Sequence, residues 1–253
     1  LFGELANDKS RLAACSNGTR GVVSGGNGVL TYSSIEYVTI SILNNVHHFG
    51  YLAENKYYLA SCSDGTKGVV GGGYTGSNGL SSIEYITINT TSNSSLFGYL
   101  SAGCYVLTSN ANKTFGLFGG GFTGSVSTSL IEYVTIATTS NSEQFGYLTL
   151  ARFGLSSCSN DIRGVFGAGY YPGYYSLLDY VTIDTKSNAF FFGNLRIVGA
   201  YSCSCSNNER GIFCGTSDYP GNIDYITIDV LSDAFSFGNL ALSRYDTAAC
   251  SGN

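Results

Sequence analysis

Ile131-Glu132-Tyr133-Val134-Thr135-Ile136 is a β-branched and aromatic run broken by one acid, and Phe145-Gly146 follows with its Phe 14 residues after Ile131. Such a run reads as a strand. The same wording, with Leu for Ile, Asp for Glu and Ile for Val, recurs at 35–40, 83–88, 178–183 and 223–228, each time 14 residues ahead of a Phe-Gly. The Phe-Gly pairs stand at Phe2, Phe49, Phe97, Phe145, Phe192 and Phe237, at intervals of 47, 48, 48, 47 and 45 residues. A fixed period of this length is the mark of a tandem repeat and has to be read before any local element.

Two further markers run in phase. Cys15, Cys62, Cys158, Cys205 and Cys250 each lie 13 residues after their Phe, with Asn110 at that place in the third copy. Gly21, Gly68, Gly116, Gly164 and Gly211 come six residues later. From that glycine to the next Ile or Leu the spacing is 14, 15, 15, 14 and 12, so the length variation sits in one interval. Each unit divides into four short strands. The first, such as 155–159, leads into Asn17-Gly18, Asp64-Gly65, Asn160-Asp161 or Asn207-Asn208, dipeptides expected to form two-residue type I′ turns. A second strand such as Gly21-Val22-Val23 ends in a glycine cluster. The β-branched run is the third strand and Phe-Gly-x-Leu the fourth. Apolar residues on both alternating faces indicate a sheet covered on both sides.

Four-stranded units of this length in tandem predict an all-β fold, a β-propeller. The chain has no Trp, hence no Trp-Asp dipeptide, while Gly25-Gly26, Gly71-Gly72-Gly73 and Gly119-Gly120-Gly121 close the second strand. In this the chain resembles the kelch family over nearly all its length. Phe stands where kelch repeats carry Trp, Tyr37 lies 12 residues before Phe49, a longer spacing than in kelch, and Gly167-Ala168-Gly169 and Cys214-Gly215 degrade the doublet. The wording of 131–141, followed by Phe-Gly and by Ala-Ala-Cys-Ser-Asn-Gly-Thr-Arg-Gly as at 13–21, also resembles repeat proteins of tailed bacteriophages. That resemblance implies a virion or tail-fibre component. Lettering the strands A to D from the innermost, residues 1–253 form one domain with repeats starting near 2, 49, 97, 145, 192 and 237: a D strand, five complete ABCD blades, then one further A strand. Either five blades close and the ends overhang, or the chain is an excerpt of a larger ring. The absence of Met marks it as a processed or excerpted piece.

Charged residues are only 11% of the chain against roughly 25% in an ordinary domain. Hydroxyls, amides and backbone must therefore hold the surface in water. The net charge of −5, with 12 Lys and Arg spread without a cluster, argues against nucleic acid as a partner. No apolar run approaches the roughly 18 to 20 residues of a membrane span, so no membrane insertion is expected.

Chemistry in repeated residues is weighed against structure. Five cysteines at one place per blade, on separate inner strands, are expected to be core residues. Cys203, Cys205 and Cys214 share one hairpin, where a turn at Asn207-Asn208 places Cys203 opposite Ile212, so a Cys203–Cys214 bridge needs a register shift. No metal site is expected: C-x-x-C is absent, and His47 and His48 are adjacent in one loop. The acids Glu36, Glu84, Glu132, Asp179 and Asp224 and the cations Arg20, Lys67, Arg163 and Arg210 recur once per blade and read as structural pairs between neighbouring strands rather than a glycosidase dyad. The glycine clusters precede no helix, so they cradle no phosphate and no cofactor is expected. Sequons at Asn17, Asn89, Asn93 and Asn112 would matter in a eukaryotic secretory product, but chance explains most of them in so Asn- and Thr-rich a chain.

The variable B–C loops remain. They emerge on the same face as the D–A loops and carry Tyr32, Tyr74, Phe122, Tyr170, Tyr171, Tyr174, Tyr175 and Tyr219, aromatics suited to sugar stacking or protein contact, or to covering the ring's own edge. No catalytic residue is expected. The reading is a non-enzymatic module on a virion surface or otherwise extracellular, in a fibre, tail or decoration role, with other virion proteins or a host-surface glycan or protein as partner and homo-oligomerisation compatible with it. The alternative is a secreted or cellular kelch-type lectin or adaptor.

Overall fold

The computed structural model describes residues 3–250, so Phe2 lies outside the described residues. Among these, every regular element is a strand, and twenty strands form five sheets of four, each sheet in chain order and antiparallel throughout. The fold is a β-propeller. Its innermost A strands are Ala13–Ser16, Ala60–Ser63, Thr108–Ala111, Ser156–Ser159 and Cys203–Ser206. In blade 3 the B, C and D strands follow as Phe115–Gly119, Leu130–Thr135 and Glu143–Tyr147.

The core is divided among the blade interfaces. Four apolar clusters lie between successive blades, each built around a buried Phe-Gly aromatic: Phe49, Phe97, Phe145 and Phe192. The fixed glycine on each B strand is explained by the previous blade: a Cβ on Gly68 would come within 2.7 Å of Cys15 Sγ, and one on Gly116 within 2.8 Å of Cys62 Sγ. The cysteines are thus core residues whose sulfur fills the space that the glycine leaves. The doublet closing the B strand serves backbone conformation, with φ of +67° and +109° at Gly72 and Gly73.

The turns differ from expectation. Ser16 pairs with Gly21, and the connection runs 17–20 with Asn17 Oδ1 accepting the N–H groups of Thr19 and Arg20. Asp64, Asn112, Asn160 and Asn207 cap their turns in the same way. The first residue of each dipeptide is there as a side-chain acceptor, an Asx turn, and two-residue type I′ turns do not form. This lengthens the last hairpin, so Cys203 faces Cys214 and Cys205 faces Ile212 without any slip.

The five complete blades expected from the sequence are present, and the chain ends pack against them. Six chain segments surround the axis, and they are tied in a circle by backbone hydrogen bonds: Tyr58 N–H to Arg11 O, Val106 to Tyr58, Gly154 to Val106, Tyr201 to Gly154, Asp246 to Tyr201, and Arg11 back to Asp246, all 2.8 to 3.0 Å. All six residues have φ between +55° and +70°. The segment around Asp246 therefore takes a sixth A position between blades 5 and 1, and Cys250 Sγ lies against Gly21 as the other cysteines lie against theirs. The N-terminal segment takes the matching D position: Glu4 N–H meets Asn45 Oδ1 as Tyr51 N–H meets Asn93 Oδ1 and Tyr99 N–H meets Asn141 Oδ1.

Candidate functional site

The D–A and B–C loops share one face because their residues bridge each other: Tyr57 with Tyr74, Tyr105 with Phe122, Phe153 with Tyr170. Each bridge brings one ring from each loop together. Rings from the two loop types alternate around the face. Tyr57 and Tyr74 lie 5.6 Å apart between centroids, Tyr74 and Tyr105 4.6 Å, Tyr105 and Phe122 5.6 Å, Phe122 and Phe153 5.6 Å, Phe153 and Tyr170 5.5 Å, and Tyr170 and Tyr174 5.0 Å. An inner branch, Tyr58 and Tyr201, closes over the channel mouth at 6.0 Å. Most of these contacts are edge-to-face or tilted, the geometry favoured by ring quadrupoles. The arc spans blades 2 to 4. In blade 1 the bridging pair is Ser10 and Asn27.

The mouth of the channel is a cavity of about 130 Å³ ringed by Arg11, Tyr58, Val106, Gly154, Tyr201 and Asp246. Arg11 pairs with Asp246 at 3.1 Å and lies 4.8 Å over the Tyr58 ring. Burial pushes the Tyr58, Tyr105 and Tyr201 phenols upward, so they stay neutral donors at physiological pH. Apolar ring faces, hydroxyl rims and one ion pair equip this face for stacking and hydrogen bonding.

The repeated acids are buried, but their partners differ from those expected. Glu36 pairs with Lys9 at 2.9 Å, Glu84 with Lys56 at 2.6 Å, Asp179 with Arg152 at 3.0 Å and Asp224 with Arg196 at 3.3 Å. Lys9, Lys56 and Arg152 come from the segments that lead into an A strand, and Arg196 from the long D strand Phe190–Gly199. Glu132, with Cys104 at the cation's place, accepts from Ser101 N–H and Ser142 Oγ. Each acid sits at a β-bulge between the third strand and the fourth, which turns its side chain inward. Arg20, Lys67, Arg163 and Arg210 instead stack over Tyr37, Tyr85, Tyr180 and Tyr225 at 4.5 to 5.3 Å. Arg20, Lys67 and Arg163 also bond carbonyls of the next blade, Ile88 O, Ile136 O and Ile228 O.

Of the aromatics singled out in the sequence, Tyr74, Phe122, Tyr170 and Tyr174 belong to the arc. Tyr171 is exposed beside it, Tyr175 opens the C strand of blade 4, Tyr32 lies under Lys9 at 5.8 Å, and Tyr219 is exposed on blade 5. Three of the seven arc rings, Tyr57, Tyr105 and Phe153, and the inner Tyr58 and Tyr201, escaped the sequence reading. Their signal is positional: they stand eight or nine residues after a Phe-Gly aromatic. His47 and His48 lie on the D strand of blade 1 rather than in a loop. Among the described residues, no group of three His, Cys, Asp or Glu is placed to hold a metal ion.

Compared with known proteins, the chain matches no protein-family model and no curated protein. The reading of the face therefore rests on its own geometry. Sequon residues are engaged internally: Asn17 Nδ2 donates to Asn89 Oδ1, Asn93 receives Tyr51 N–H, and Asn112 caps a turn.

Proposed function

We propose that the protein is a non-enzymatic binding and structural module of kelch-like type, carried on the exterior of a bacteriophage particle in a fibre, tail or decoration role. Its loop face meets another virion protein or a glycan or protein of the host surface. The observation that carries this reading is the arc of aromatic rings on one face. Rings already held edge-to-face by their neighbours lose little freedom when a partner stacks on them. Their hydroxyls suit hydrogen bonding around an apolar contact, as sugars and protein surfaces both require. The repeated carboxylates support a scaffold role, since each is consumed by internal bonds.

The experiment has two arms. Mass spectrometry of density-purified phage particles should find peptides of this chain, and their absence would end the virion assignment. Binding to host-surface polysaccharide is then compared for the wild type and the double variant Tyr171→Ser/Tyr174→Ser. Both residues are about half exposed, at 46% and 40%, so the melting temperature should hold while affinity falls at least about tenfold. Equal affinities would remove the aromatic arc as the contact surface.

A further inference from the structure

Four positions that are buried in blades 1 to 4 are less buried in blade 5. The B-strand residues Val22, Val69, Leu117 and Val165 are at 0% exposure, as are Ile35, Ile83, Ile131 and Leu178 at the head of the C strand, whereas Ile212 and Ile223 are half-buried. Phe49, Phe97, Phe145 and Phe192 are at 2 to 5%, whereas Phe237 is at 57%. The leucine three residues on is at 4 to 5% in blades 1 to 4, and Leu240 is half-buried. Facing this surface across the sixth position, Val23 of blade 1 is half-buried where Val70, Phe118, Phe166 and Phe213 are sealed against the blade before.

The sixth position also carries an unmatched charge. Lys9, Lys56 and Arg152 lie seven residues after a Phe-Gly aromatic, and each holds the C-strand acid of its blade. Arg244 occupies that place after Phe237, and no carboxylate pairs with it among the described residues. Ala241 stands where Ala6, Ala53, Ser101 and Thr149 donate their N–H to the same acid. With the A position filled by 246–250 and the D position by the N-terminal segment, the surfaces left open are those that a B and a C strand cover in every complete blade.

We propose that the sixth position is a binding site for a two-stranded β-hairpin of the B–C pattern of this repeat: a glycine on its first strand to face Cys205, and an acid on its second to pair with Arg244. The hairpin adds main-chain bonds beside 246–250 and covers Phe237, Leu240 and Val23. Apolar burial supplies affinity, and the carboxylate fixes register, because a slip of one residue would turn the acid away from Arg244.

The probe is a fluorescein-labelled peptide copying residues 160–183, which contains Gly164 and Asp179, titrated into the whole chain and read by anisotropy. Saturable 1:1 binding is expected, with a raised melting temperature. Arg244→Ala should weaken it about tenfold, equivalent to about 1.4 kcal/mol. The same variant should leave unchanged the binding of a peptide carrying Asp179→Asn, and Arg244 is exposed, so the variant folds. No saturable binding, or equal binding of both peptides to both proteins, overturns the proposal. Self-association of the chain that protects Phe237 from footprinting reagents also overturns it and assigns the surface to a second copy.

Discussion

Asn110→Cys should stabilise the protein. Asn110 occupies the place held by cysteine in the other copies and is 4% exposed, yet neither Oδ1 nor Nδ2 has a hydrogen-bond partner among the described residues. It packs against Gly164 as Cys15 packs against Gly68 and Cys62 against Gly116. A buried polar group without a partner costs about 1 to 3 kcal/mol, whereas a thiol demands little hydrogen bonding. Burial also keeps it uncharged: the Cys62 thiol is pushed up to about 12. Counting one relieved group gives about 2 kcal/mol, and a chain of this size gains about 2 to 4 °C per kcal/mol, so the melting temperature should rise by about 4 to 8 °C. The assay is thermal unfolding followed by circular dichroism with a thiol reductant present. The reciprocal change, Cys62→Asn, places the same amide against Gly116 and should lower the midpoint by a similar amount. An Asn110→Cys protein no more stable than the wild type would show that the amide is satisfied where it stands, and the argument from the repeat would fail.

Phe145→Ala should cost about 3 to 5 kcal/mol by opening a cavity between blades 3 and 4, while Phe237→Ala, at an open position, should cost under about 1 kcal/mol; equal losses in urea unfolding would refute the division of the core. Burial raises the Glu84 carboxyl, but Lys56, Ser94 Oγ and Ala53 N–H outweigh it and hold the group below its ordinary value. Its contribution is therefore complete above the unfolded value of about 4.3 and is lost as pH falls through the lower folded value. Glu84→Gln should be less stable at pH 7 and show a shallower fall in urea midpoint below about pH 5, and an unchanged acid slope would sink this. Cys203 and Cys214 face each other with Sγ atoms 3.2 Å apart, and the hydrogen bond between the two sulfurs lowers the Cys203 thiol below its ordinary value. Oxidised glutathione should take two electrons and two protons from this pair, forming one disulfide and two reduced glutathiones. Intact mass should show the loss of two hydrogens, abolished in Cys203→Ser, and no loss in the wild type would exclude the bridge.

The blades were legible because the period of Phe49, Phe97 and Phe145 is imposed by stacking, which repeats the same interface each time. What lay hidden depends on conformation within the period. The turn after Ser16 looked like a positive-φ dipeptide, but Asn17 acts through its side-chain oxygen, and that lengthens the hairpin enough to bring Cys203 opposite Cys214. The acids were visible and their partners were not. Arg20 and its counterparts share the phase of the repeat, yet they point outward over tyrosines, whereas the cations that matter to Glu36 and Asp179 come from loops where Lys, Cys, Arg and Gly alternate at one place. A bulge one residue after Ile35 decides which way the acid points, and no residue type marks it.

The position of the aromatic arc follows from the same interfaces. In a stacked repeat, each unit is stabilised by its neighbours, so a loop is held firmly only where both interfaces of its blade are complete. Blades 2, 3 and 4 have an apolar cluster on both sides, whereas blades 1 and 5 each border the open sixth position. The bridged pairs Tyr57/Tyr74, Tyr105/Phe122 and Phe153/Tyr170 belong to those three blades, and blade 1 carries Ser10 and Asn27 instead. Aromatic rings in fixed relative orientation are thus found where the scaffold can fix them. The seam is held differently, by the backbone circle and the Arg11–Asp246 pair. A partner bound on the arc would therefore gain from preorganisation without depending on the sixth position, so occupying that position with a hairpin should raise the melting temperature and leave affinity at the arc unchanged.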